Sequence, residues 1–83
     1  MKFQYRPRGV CSQSIELDMD GDVIKSVKFY GGCNGNLKGI GALVKGMTAQ
    51  EVINRCGGIR CGMKSTSCPD QLAYALEEAL SSK

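Results

Sequence analysis

The sequence predicts an α+β fold: a three-stranded antiparallel sheet in the N-terminal part, followed by three helices packed on one face. Two observations carry this expectation. Residues 12–30 alternate apolar and polar positions on either side of an Asp-Gly pair. Beyond residue 36 the spacing changes to the three-and-four rhythm of amphipathic helices. The 83-residue chain has no internal repeat, low-complexity tract or linker, so it reads as one domain, 1–83.

The first strand is short: "KFQYR" alternates Phe3 and Tyr5 with polar residues, and Pro7 ends it. The second, "SQSIELDM", puts Ile15, Leu17 and Met19 on one face at period two. Asp20-Gly21 then marks a hairpin turn, read as type I′ with these two residues at its centre. The return strand "VIKSVKFY" presents Val23, Val27 and Phe29 on one face. "NLKGIGALVKGM" spaces Leu37, Ile40, Val44 and Met47 as a helix face, with Asn36 as N-cap and Gly46 as stop. Gly39 and Gly41 weaken this helix by about 1 kcal/mol each relative to alanine, which suggests a close backbone neighbour. "TAQEVINRC" opens with Thr48 and Glu51, a capping box, carries Val52, Ile53 and Cys56 as its stripe, and ends at Gly57-Gly58. "IRCGMKST" reads as loop. In "SCPDQLAYALEEAL", Ser67, Pro69 and Asp70 mark the start of a helix, and Leu72, Ala73, Leu76, Ala79 and Leu80 lie along one side.

Composition narrows the function classes. No apolar run approaches the ~18 residues of a membrane span. The N-terminal "MKFQYRPRGV" has neither an apolar signal core nor a cleavage pattern, so the expected compartment is the cytoplasm and no membrane partner is expected. The net charge of +3 comes from scattered basic residues, and there are five aromatics, which together do not mark a nucleic-acid interface. The chain has no histidine and no evident paired-carboxylate site, and it is too short for a radical-enzyme barrel, so catalysis by this chain alone is not expected. Asp70 reads as part of a helix cap rather than as an acid or base.

Five cysteines in 83 residues are the unusual feature. In a reducing compartment they point to metal binding or redox chemistry, and an odd count argues against a simple disulfide framework. The hairpin register sets position 11 roughly opposite position 30, so Cys11 and Cys33 belong to the same open end although 22 positions separate them. Cys61 and Cys68 are joined by the six residues "GMKSTS", a loop short enough to bring both thiols to one centre. Cys68 also opens a helix, where the dipole and unpaired N–H groups favour the metal-binding thiolate. Cys11, Cys33, Cys61 and Cys68 are therefore candidate ligands of one tetrahedral site. Zinc is the default ion for such a set, and iron, bare or in a cluster, uses the same ligands. Buried structural thiols and redox thiols are the alternatives. Cys56, on an apolar helix stripe, reads as a core thiol.

The run "GGCNGN" at 31–36 sits at the strand-to-helix junction. It fits neither a dinucleotide nor a P-loop glycine pattern, and a hairpin lacks the parallel crossover such folds need. Glycines around Cys33 would free backbone N–H groups to point at sulfur and remove crowding Cβ atoms, or they form a plain turn.

The string Thr66-Ser67-Cys68-Pro69-Asp70, with "YRPRGVCS", "FYGGCNGNLKGIGALVKGM" and "GIRCG", resembles the small, stand-alone, four-cysteine TSCPD domain family over nearly the whole chain. A similar domain closes cobalamin-dependent ribonucleotide reductases. The resemblance makes Cys11, Cys33, Cys61 and Cys68 the family cysteines and leaves Cys56 outside the set. It implies an accessory or interaction role with an unidentified protein partner, ribonucleotide reductase among the candidates. A cysteine-bearing tail able to re-reduce the reductase disulfide is a further reading.

The order of parts is also similar to iron–sulfur cluster scaffolds of the NifU/IscU type, whose three cysteines match Cys11, Cys33 and Cys68. Gln13 stands where those scaffolds carry an aspartate, Ser67 where they carry a histidine, and their Leu-Pro-Pro-Val-Lys segment has no counterpart. Cys61 adds a fourth sulfur, and a closed four-thiol set suits retention of a metal rather than its transfer. The leading expectation is thus a cytoplasmic four-cysteine zinc domain with a structural metal, with an iron–sulfur scaffold or carrier as the alternative.

Overall fold

The computed structural model describes residues 2–10, 12–31, 34–60, 62–63 and 65–81. Strands β1 (Lys2–Tyr5), β2 (Ser12–Asp20) and β3 (Val23–Gly31) precede helices α1 (Asn34–Val44), α2 (Ala49–Cys56) and α3 (Cys68–Ser81). The sheet is antiparallel with order β1-β2-β3, so the predicted α+β class and element order hold. No described helix is long and apolar enough to cross a membrane.

The hairpin differs from its expected geometry in a specific way. Asp20 pairs with Val23, so the two turn residues are Gly21 and Asp22 rather than Asp20 and Gly21. Gly21 has φ of 59° while Asp22 is not left-handed, which is the type II′ requirement, not the type I′ one. Register shifts at Gln13 and Lys25, one on each strand, offset each other, and because the turn lies one residue later than expected, Ser12 faces Gly31 instead of position 29. The shift at Lys25 also changes which β3 residues face inward. Ile24 and Val27 are both buried although an odd number of positions apart, and Val23, expected inside, is 40% exposed. An extra residue in one strand inverts the alternation beyond it.

On β2 the alternation is undisturbed: Ile15, Leu17 and Met19 are buried between the partly exposed Ser14, Glu16 and Asp18. The helices cover this face. Val44 of α1, Ala49 and Val52 of α2, and Leu72, Ala75, Leu76 and Ala79 of α3 join the strand residues in a single core.

Helix α1 begins at Asn34, so Asn36 is inside it rather than its cap; the helical backbone starts before the first apolar residue, Leu37, which is buried. One of its two glycines has the predicted neighbour. A Cβ at Gly41 would stand 2.8 Å from the Val27 carbonyl oxygen, whereas nothing lies within 4 Å of one at Gly39. The α1–α2 turn is tied to the start of β3: Ile24 N–H donates to Met47 O at 2.9 Å, and Gly46 N–H donates to Ile24 O at 2.8 Å. Helix α2 opens with the predicted capping box, Glu51 N–H donating to Thr48 Oγ1 at 3.2 Å.

Helix α3 is the central element. Four consecutive residues, Asp70 to Ala73, are buried, more than one face of a helix. Its predicted apolar stripe is buried at Leu72, Ala73, Leu76 and Ala79, with Leu80 packed at the edge.

Candidate functional site

The start of α3 carries a polar cluster that no core helix needs for packing alone. Ser67 caps the helix by accepting the Asp70 N–H at Oγ, 3.1 Å away. Its hydroxyl proton goes elsewhere, to the Ile59 carbonyl at 2.6 Å. Asp70 also reaches outward from this cap. Its carboxylate accepts the Gly58 N–H at 2.7 Å and the Thr66 hydroxyl at 2.5 Å. Thr66 Oγ1 in turn accepts from Gln71 Nε2 at 2.9 Å. Gln71 Oε1 accepts from the Arg8 N–H at 3.0 Å and from the Tyr5 hydroxyl at 3.2 Å.

Three segments distant in sequence are thereby clasped: the N-terminal stretch around Tyr5 to Arg8, the loop after α2 at Gly58-Ile59, and the first turn of α3. Gly9 packs against the same cluster, where a Cβ would lie 3.1 Å from the Thr66 methyl group. Ser67, Asp70 and Gln71 are buried, and among the described residues no buried side-chain nitrogen or oxygen lacks a partner, as buried polar groups require. Burial first, and then the Glu78 carboxylate, hold the Tyr5 phenol above its ordinary pKa, with the Arg8 cation opposing them.

Of the four predicted ligands, Cys11, Cys33 and Cys61 lie outside the described residues. Cys68 is half-buried as the first residue of α3. Cys56 is half-buried against the core, as its stripe position predicts, and burial raises its thiol pKa. Among the described residues, no three histidine, cysteine, aspartate or glutamate side chains come together as a metal-ligand set. What the described residues do show is the placement of each cysteine's neighbours. Ser12 pairs with Gly31 across the hairpin, and Ile59 bonds to Ser67. Each of these residues stands within two positions of a predicted ligand.

Sequence reasoning missed Thr66, Gln71 and Tyr5 as parts of one network. The signal was present: Asp70 and Gln71 sit directly before Leu72 and Ala73, so two polar residues occupy the buried start of an apolar helix.

The clasp lies within the part of the chain that matches a known domain family. A model of the TSCPD domain matches residues 2–80. The chain belongs to the TSCPD domain family. This membership relates it to a domain type associated with ribonucleotide reductases. No curated protein and no solved structure matches the chain. In TSCPD terms, Thr66, Ser67 and Asp70 of the string are hydrogen-bonding members of the clasp, Cys68 stands between them, and Pro69 fills the first helical turn, where no backbone donor is needed.

Proposed function

We propose that this TSCPD chain is a cytoplasmic four-cysteine metal-binding domain, with zinc as the ion and an accessory, non-catalytic role alongside ribonucleotide reduction. Cys11, Cys33, Cys61 and Cys68 would hold the ion. The observation that supports this reading is the clasp. Gly9, Ile59 and Ser67, each within two positions of Cys11, Cys61 or Cys68, are drawn to one hydrogen-bonded cluster, while Ser12 and Gly31 pair at the hairpin's open end.

The donor chemistry fits zinc. A chain without histidine offers thiolates as its soft ligands, and four of them complete a tetrahedral shell. A bound zinc ion supplies a cross-link between loop segments that the small core alone holds weakly. The protein's own contribution is positional. Ser67 and Asp70 fix the loop before Cys61 to the helix that begins with Cys68, and Gln71 fixes the segment before Cys11 to the same turn.

Elemental analysis of natively purified protein, beside the Cys61→Ser variant, tests this. The expected result is stoichiometric zinc in the parent, with zinc and the folded state lost together in the variant. Iron with sulfide, and colour under anaerobic purification, would make the protein a cluster scaffold or carrier instead. A metal-free parent with a reversible disulfide would make it a thiol redox partner.

A further inference from the structure

An open apolar groove of about 430 Å³ runs between α1, α2 and the start of α3. Ile40, Leu43, Met47, Arg55, Cys56 and Ile59 line it. Leu43 is 78% exposed and Ile59 44% exposed, so the groove presents aliphatic side chains to solvent rather than hiding them.

Charge singles out the same region. Residues 34–60 carry Lys38, Lys45, Arg55 and Arg60 against Glu51 alone, four cations less one anion, or +3. The remaining seven basic and seven acidic residues cancel, so the net charge falls in the stretch that supplies all but one of the groove's lining residues, with Lys38 of that stretch lining a separate hollow beside β3. Arg55 lines the groove itself, and Lys45 and Arg60 each follow a lining residue, Val44 and Ile59.

We infer that this groove docks an acidic amphipathic helix of a partner protein. Apolar residues on one face of that helix rest on Leu43, Met47 and Ile59, and its flanking carboxylates meet Arg55, Lys45 and Arg60. An open apolar groove with Arg55 in its wall, and Lys45 and Arg60 next in sequence to lining residues, suits the helix-in-groove arrangement, read by anchors at i, i+3, i+4 and i+7. The cations set the sign of the partner and speed its encounter. Among the described residues no aromatic ring lines the groove on which a nucleobase could stack, and its concave shape does not match a bilayer surface. The groove shares Ile59 with the clasp, through that residue's carbonyl, but most of its lining belongs to α1 and α2, and the inference does not rest on a bound metal.

The test uses the full chain and a fluorescein-labelled peptide of about 18 residues, roughly five helical turns. Leucines occupy one face of this probe and glutamates the rest. Anisotropy titration should show saturable binding that weakens with salt. Leu43→Glu and Arg55→Glu should each weaken it about tenfold or more, equivalent to about 1.4 kcal/mol. Tyr74→Glu, at an exposed site on α3 outside the groove, should leave it unchanged. Both groove positions are exposed, so circular dichroism should show the variants folded. Backbone amide shift changes should centre on Leu43, Met47, Arg55 and Ile59. Absence of binding, equal binding of a leucine–lysine counterpart or of oligothymidylate, or unchanged affinity of both groove variants would overturn the proposal. So would a homodimer dissociated by Leu43→Glu, which would seat a second copy in the groove.

Discussion

The Asp70 carboxylate accepts the backbone N–H of Gly58 at 2.7 Å, joining the first turn of α3 to the residue at which the chain leaves α2. Gly58 can occupy this place because its φ of 87° is left-handed, a conformation that glycine adopts without strain.

Removing that carboxylate should be costly. Asp70→Ala removes a carboxylate that is itself 5% exposed and leaves the part-buried Gly58 N–H and Thr66 hydroxyl without their acceptor. Hydrogen bonds to a charged group are worth about 1.5–3 kcal/mol. The expected change is about 2–3 kcal/mol, read as a lower urea midpoint at unchanged slope. A midpoint equal to that of the parent would show that the clasp is not a stabilising unit.

The two glycines of α1 should respond to alanine with opposite signs. Gly39→Ala meets nothing within 4 Å and should stabilise by about 0.5–1 kcal/mol through helix propensity. At Gly41 the same gain is opposed by a contact of 2.8 Å with the Val27 carbonyl, part of a backbone that cannot rotate away. Gly41→Ala should therefore lower the thermal midpoint while Gly39→Ala raises it. Equal shifts in both variants would remove the close approach of α1 to β3.

Alkaline pH should destabilise the fold through Tyr5 and Cys56. Both hold their protons more tightly in the folded chain, Tyr5 mainly by burial and then by Glu78, Cys56 by burial. A raised folded pKa gives stability that is complete below the unfolded value and is lost as pH rises through the folded one. The urea midpoint should stay level to about pH 9 and fall above it, starting with the thiol and continuing past the ordinary phenol value near 10. Tyr5→Phe should flatten the upper part of this decline, at the cost of the hydrogen bond to Gln71 at neutral pH. A profile in Tyr5→Phe identical to that of the parent would show that the phenol is not a source of the loss.

Much of the fold was legible because periodicity reports burial directly. Ile15, Leu17 and Met19, and the α3 stripe from Leu72 to Ala79, were readable since a side chain's spacing fixes the face it occupies. The capping box at Thr48 and Glu51 was readable because both partners lie within one turn. The bulges at Gln13 and Lys25 were not, because neither residue type marks an extra position in a strand, and the one at Lys25 surfaces only as Val23 outside and Ile24 inside. In the candidate site, the cap at Ser67 was local and visible. The reach of Asp70 to Gly58 and of Gln71 to Tyr5 was not, since the latter spans 66 residues and depends on how α3 lies against the N-terminal segment.

The small ties between the α1–α2 turn and β3 have a consequence for behaviour in concentrated solution. β3 is a terminal strand of the sheet, and an unpaired strand margin is a template on which another chain can add. Here the outward N–H and C=O of Ile24 are already engaged by Met47 and Gly46, and α1 lies over the Val27 carbonyl at Gly41. β1, at the opposite margin, offers just four residues. The molecule thus shields itself from intermolecular β-pairing with its own helix-connecting turn.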